Sequence, residues 1–154
     1  MRPSNHVLRF RATLVGFEEA ATALRELLKV RQVSDDARNN IEVVFEEAAA
    51  NIIRHACPTG DVEVAIRFDD DAIVMTFDDD GVPFNPNLQP DPGLATTLDE
   101  APIGGLGLVL IRKIARMAYE RTPQQHNVLT LSIPARGSET SGAVTPEAKA
   151  ETAR

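Results

Sequence analysis

The sequence predicts an α+β protein, a two-layer α/β sandwich with a mixed, mainly antiparallel sheet and its helices on one face. Three observations predict it. Segments with apolar residues at every second position occur near the start, in the middle and near the end of the folded region. Two long amphipathic stretches with helical spacing follow the first of these. The two middle segments are joined only by Asp69-Asp70-Asp71, a turn too short for a crossover, so they form a hairpin. Hairpins with helices collected on one side give two layers.

Residues 6–15 alternate, with Val7, Leu8, Phe10, Ala12 and Leu14 interleaved with Arg9, Arg11 and Thr13, as in a strand with one wet face. Phe17 to about Val33 carries Ala20, Leu24, Leu27, Leu28 and Val30 and reads as a helix. Ser34 offers a cap to a second helix, and Asp35 and Asp36 favour its positive end. That helix runs to about Cys57, where Pro58-Thr59-Gly60 stops it. Val62, Val64, Ile66 and Phe68 make a strand, and Ile73, Met75 and Phe77 the next. Residues 85–104, rich in Asn, Pro, Asp and Gly, read as a long loop of the length that usually serves a function. Gly105 to about Met117 is helical and Asn127 to Ile133 is the closing strand, with Ala118–Arg121 placed to pair with it. The domain is expected over residues 6–135. The Ser/Thr/Ala/Glu-rich residues 137–154 are expected to be a disordered tail.

Composition narrows the function classes. Sixteen basic against 23 acidic residues give a net charge of −7, which argues against nonspecific binding to nucleic acid or anionic lipid. No apolar run approaches the ~18–20 residues that span a bilayer, and no signal-peptide core opens the chain, so the expected address is the cytoplasm. A single cysteine, Cys57, and three scattered histidines leave no zinc framework.

Three segments carry candidate chemistry. In the second helix, Ile41, Val44, Phe45, Ala48, Ile52 and Ala56 share an apolar stripe, and Glu47, Asn51 and His55, four apart, border it. A carboxylate and an amide one turn apart can take a proton and ligate a hard cation such as Mg²⁺; a solvated helix border is the plainer alternative. In Phe77-Asp78-Asp79-Asp80-Gly81-Val82-Pro83-Phe84, a fixed carboxylate can accept from an exocyclic amine while Gly81 lets the backbone approach a flat ligand. An ordinary turn explains the same residues, and a triple-Asp calcium site is a third option without EF-hand spacing behind it. In Ile103-Gly104-Gly105-Leu106-Gly107-Leu108, glycines at a helix start expose N–H groups to an anion, or serve as a hinge. The pattern is neither a dinucleotide fingerprint nor a P-loop.

In this order the three segments resemble the ATP-binding fold of the GHKL superfamily of gyrase, Hsp90 and histidine kinases. Within it they resemble the anti-sigma-factor serine kinases of the RsbW/SpoIIAB type. Glu47-Ala-Ala-Ala-Asn51-Ile-Ile-Arg-His55-Ala56 is similar to that family's N box, Asp79-Asp80-Gly81-Val82-Pro83-Phe84 to its Asp-x-Gly segment, and Gly105-Leu106-Gly107-Leu108 to its second glycine box. Asn127–Leu131 is similar to its final strand. The resemblance implies ATP and Mg²⁺ as ligands. Glu47 would be the general base and Asn51 the Mg²⁺ ligand. Asp79 would accept from the adenine amine, with Gly81 beside it. The N–H groups around Gly105, Leu106 and Gly107 would hold phosphates, residues 85–104 would form the ATP lid, and Thr130 would help hold adenine. The implied function is a serine/threonine protein kinase that phosphorylates a STAS-type anti-anti-sigma protein and sequesters a sigma factor, with homodimerisation a family expectation. The alternative is a nucleotide-binding regulatory module without kinase activity. Pro102-Ile103-Gly104 stands where some kinases of the family carry an arginine near the γ-phosphate, and Ala115-Arg116-Met117-Ala118 where Met-Asp-Glu-Val is common.

Overall fold

Along the chain run β1 (Asn5–Phe10), α1 (Leu14–Val30), α2 (Asp35–Asn51), β2 (Val62–Phe68), β3 (Ala72–Asp79), α3 (Gly105–Ile114), β4 (Arg116–Arg121) and β5 (Asn127–Pro134). A π-helical turn, Ile52–Ala56, extends α2, and a short 3₁₀ turn covers Pro86–Leu88. The structure, a computed structural model, describes residues 4–90 and 105–136. The remainder of the expected lid and the expected tail lie outside the described residues. The strands form one five-stranded sheet in the order β1-β2-β3-β5-β4, and each neighbouring pair is antiparallel. The buried residues of the three helices and of the inner sheet face form a single core, so the sheet has one covered and one open face. Among the described residues no helix is long and apolar enough to cross a membrane.

The strand alternation read from the sequence is the alternation of burial. Val62, Val64 and Ile66 of β2, Ile73, Met75 and Phe77 of β3, and Leu129, Leu131 and Ile133 of β5 are buried against the helices. The apolar stripe of α2 lies on the same core. Phe45, fully buried, touches the rings of Phe10, Phe17 and Phe77 at centroid distances of 6.1, 6.1 and 5.8 Å.

The boundaries differ from the sequence pattern where local signals compete. Alternation continues past Phe10, but β1 loses its partner there, since Phe10 pairs with Val62, the first residue of β2. Thr13 then caps α1, accepting from Gly16 N at 3.1 Å, and the helix starts three residues before Phe17. α1 stops at Val30 because Gln32 turns left-handed (φ 54°), with Gln32 N donating to Lys29 O and Val33 N to Leu28 O. Ser34 caps α2 as expected, accepting from Ala37 N. α3 ends at Ile114, short of Met117, because Arg116–Arg121 pairs with β5 and sheet pairing overrides the helical preference of Ala-Arg-Met-Ala.

Candidate nucleotide site

The site is assembled at one end of the sheet, where α2, β3, β5 and α3 meet. Alternation along β3 separates its three acids. Asp78 faces the open side and pairs with His126 Nδ1 at 2.5 Å, a contact that raises the imidazole pKa. Asp80 accepts from Gly60 N, Thr59 N and Thr59 Oγ1 at 2.9–3.1 Å, and the Gly60 N–H above all lowers its carboxyl pKa. It clamps the turn after α2. Asp79 alone points inward and is 2% exposed. The three acids thus face different ways, and among the described residues no three or more His, Cys, Asp or Glu are grouped so as to hold a metal ion.

Asp79 is held by its cross-strand neighbour. The register puts Asn127 directly opposite. Asn127 Nδ2 donates to Asp79 Oδ1 at 3.0 Å and to Val82 O at 2.9 Å. Its Oδ1 accepts from Tyr119 Oη at 2.6 Å, Arg121 Nη1 at 3.1 Å and Phe84 N at 3.2 Å. The amide is thus saturated and cannot rotate without loss. Gly81 N also donates to Asp79 Oδ1, at 2.9 Å. Both bonds fall on one oxygen, which leaves Oδ2 as the acceptor for a ligand. Burial pushes the Asp79 carboxyl pKa up, against the lowering effect of these two hydrogen bonds.

The turn after β3 is seated on the end of α2. Val82 N donates to Ala56 O at 2.8 Å, and the π-helical turn ends in left-handed Cys57 (φ 49°). A β-carbon on Gly81 would lie 2.3 Å from Ala56 O. The collision is with backbone, which has no room to yield. Gly81→Ala is therefore expected to destabilise the fold by about 2–3 kcal/mol, read from urea denaturation.

Asn51 and Asp79 line one cavity with Ala48, Ile52, Phe84, Tyr119, Asn127 and Leu129 among others. Its enclosed space, about 10 Å³, is that of a single water, so a purine enters only if some of the lining residues move. His55 is exposed and stacks on Phe84, with centroids 4.8 Å apart and planes 16° apart. Asn51 is 4% exposed, and its buried Nδ2 has no hydrogen-bond partner. An unmatched buried amide is costly unless something fills it. Because amide N and O are interchangeable by rotation, the group suits a cation or its water as well as an acceptor. One turn earlier, Glu47 reaches the start of α3, where a β-carbon on Gly107 would stand 2.0 Å from Glu47 Oε2. The acid thus meets the N–H-bearing first turn of α3, the orphaned amide lies one helical turn further on, and the residues present fit a magnesium–triphosphate group.

Gly105 opens α3; Leu106 beside it is 60% exposed, so its backbone N–H rather than its side chain is the group a phosphate could use. Thr130 is the correction. It pairs with Thr76 and Ala118 in the open-face row of the sheet and does not line the cavity. β5 contributes Asn127 and Leu129 instead. The signal was present in the sequence, since Asn127 has the parity of Leu129, Leu131 and Ile133 whereas Thr130 has that of Val128 and Ser132. Tyr119 and Arg121, which tie Asn127 and Gly81 O in place, lie on the segment expected to pair with β5, but no motif marked them as part of the site. At the rim, Arg112 of α3 donates to Pro86 O at 3.1 Å and Gln89 O at 2.6 Å, anchoring the start of the expected lid.

Comparisons with known proteins bear on the fold. A chain in the crystal structure of the SiaB-SiaC complex from Pseudomonas aeruginosa has a similar fold, with a TM-score of 0.61 and 20% identity over 83% of this chain and 88% of that one. The structure of the RsbU and RsbW domains of Rv1364c from Mycobacterium tuberculosis matches with a TM-score of 0.56 and 16% identity, over 84% of this chain but only 32% of that one. At these identities the likeness is one of fold. No curated protein matches the chain. Residues 10–133 match the histidine kinase-like ATPase domain, an extent that includes every element from the end of β1 to the last buried residue of β5, and the chain therefore belongs to the family of histidine kinase-like ATPase domains.

Proposed function

We propose that this ATPase-family domain is an anti-sigma regulatory serine/threonine kinase, which transfers the γ-phosphoryl group of ATP to a serine of a STAS-type anti-anti-sigma protein and sequesters a sigma factor. The observation that carries the reading is the orphaned Asn51 amide, in one cavity with Asp79 and one helical turn from Glu47 at the start of α3. Asp79 Oδ2 accepts from the adenine amine, with Asn127 and Gly81 N holding the carboxylate in place. Asn51 ligates Mg²⁺, which supplies neutralisation of phosphate charge when bound. The N–H groups of the first turn of α3 take phosphate oxygens. Glu47 accepts the proton of the incoming serine hydroxyl; the serine oxygen bonds to the γ-phosphorus as the bond to the ADP oxygen breaks. Phosphoryl transfer depends mainly on such positioning and charge neutralisation, so this short list suffices.

The fold likeness to the RsbW-containing structure supports the regulatory reading, and the SiaB-SiaC complex supports a protein partner. Calorimetric titration with Mg-ATP is expected to give saturable one-site binding, and incubation with a STAS protein encoded beside the gene is expected to yield phosphoserine. Pro102-Ile103-Gly104, which offers no arginine side chain, favours a second reading, a module that binds its partner according to nucleotide without transferring phosphate. Binding with no transfer to any STAS protein tested would select it, and no binding at all would discard both.

A further inference from the structure

The ladder between β3 and β5 ends at the pair Asp79–Asn127, and the pair before it is Asp78–Val128. Asp79 and Asn127 meet on the covered face, where their side chains share a hydrogen bond. On the open face of the same two strands His126 reaches diagonally to Asp78, with Nδ1 2.5 Å from Oδ1. An ionised carboxylate only accepts, so Nδ1 carries the proton of this bond. The turn before β5 sets the ring's place: Thr122 N donates to His126 O at 2.9 Å, His126 N donates to Thr122 Oγ1 at 3.1 Å, and Gln125 is left-handed (φ 63°). The ring stands among acids. Besides Asp78, it feels Asp80 and Asp79 of β3. Glu63 of β2 lies opposite Asp78 and is bonded to Arg9 of β1. On β4, Glu120 lies opposite Val128, while Arg121 reaches Asn127 Oδ1 and Gly81 O instead of an acid. Among the described residues, His126 is the one side chain that forms an ion pair with any of Asp78, Asp79 and Asp80.

We infer that His126, in its protonated form, is a positioning residue for nucleotide binding: through Asp78 it clamps the end of β5 to β3, so that Asn127 keeps Asp79 Oδ1 engaged and Oδ2 free for the base. The inference rests on the reading of Asp79 as the acceptor for the adenine amine. The imidazolium and the Asp78 carboxylate attract one another across the last two rungs of the ladder. On losing its second proton the ring keeps the Nδ1 hydrogen bond but not the charge that strengthens it. Three consecutive acids then end β3 without a counter-charge, and the Asp79–Asn127 rung opens more often. Apparent affinity falls with the fraction of chains that hold Asp79 in place. The side chains of the pair are 41% and 45% exposed, so the effect has the size of a surface ion pair, roughly two- to fivefold in affinity. The direction in pH follows from the bond to Asp78, which raises the imidazole pKa above its ordinary value. The clamp is complete below that raised value and weakens as pH rises through it.

Calorimetric titration of the full chain with Mg-ATP at a series of pH values from about 6 to about 9 tests it. The Kd of the parent chain is expected to rise roughly two- to fivefold as pH passes through the raised imidazole value. His126→Ala is expected to bind with the weaker, alkaline affinity of the parent at every pH in the series. His126→Arg carries a charge that does not titrate there, and is expected to keep the stronger affinity throughout. A ring that merely packed would neither follow pH nor be replaced by arginine. A loss of affinity with pH that is the same in the parent and in His126→Ala overturns the inference, as does an arginine variant no better than the alanine one. A chain that binds no Mg-ATP at any pH overturns the adenine reading itself, and this inference with it.

Discussion

Asp79→Asn is expected to weaken adenine-nucleotide binding while making the nucleotide-free fold more stable. Asn127 Nδ2 and Gly81 N both donate to Oδ1, so the oxygen of an asparagine is fixed there and its NH₂ replaces Oδ2. A donor then faces the adenine amine, which is itself a donor. Loss of a charge-assisted hydrogen bond of about 1.5–3 kcal/mol corresponds to roughly 10- to 150-fold weaker binding, and the unmatched donors add to it. A guanine or hypoxanthine nucleotide, with a carbonyl at that ring position, is expected to lose less. The stability effect has the opposite sign. Burial raises the Asp79 carboxyl pKa, so the folded chain retains this proton to higher pH than the unfolded chain does. Stability contributed by Asp79 therefore falls as pH rises from the ordinary carboxylate value through the raised one, and stays lower above it. Asparagine has no such titration. The advantage of the variant should be absent in acid, grow through that window and level off at neutral pH. Urea denaturation at a series of pH values measures it, and a variant less stable than the parent at neutral pH would contradict this account of the buried carboxyl.

Glu47→Gln is expected to lower phosphoryl transfer by about 10²- to 10⁴-fold, the usual contribution of a positioned general base, while Mg-ATP affinity changes little. The amide keeps the shape and the contact with α3 but cannot take the proton. Gly107→Ala should give the same split by another route. Its β-carbon would occupy the space of Glu47 Oε2, and the flexible carboxylate, rather than the backbone, gives way. Calorimetry beside a single-turnover transfer assay separates the two steps. Full transfer by Glu47→Gln would remove the residue from the chemistry.

Much of this was legible in the sequence because periodicity is local. The buried residues of β2, β3 and β5 follow from parity within each segment, as does the stripe of α2, and Ser34 caps the helix its chemistry announces. The four-residue spacing of Glu47 and Asn51 puts both on one flank of that helix whatever the rest of the chain does. The same parity, applied to β5, would have chosen Asn127 over Thr130; the family pattern led the other way.

What the chain by itself determined is therefore the set of elements, the face each buries and the residue types gathered near the ends of α2 and β3. What only the tertiary structure decided is which of them meet. Asp79 and Asn127 lie 48 residues apart and become neighbours through a strand register. Arg116–Arg121 became a strand because β5 was there to pair with it, and Asn51 became an orphaned amide because α2 lies against the core at that depth. Side-chain period is a property of one segment, whereas register, burial depth and an unmatched hydrogen bond arise only between segments. That is why the acid and the amide could be named from their own segments, whereas their common cavity was expected only through the family resemblance.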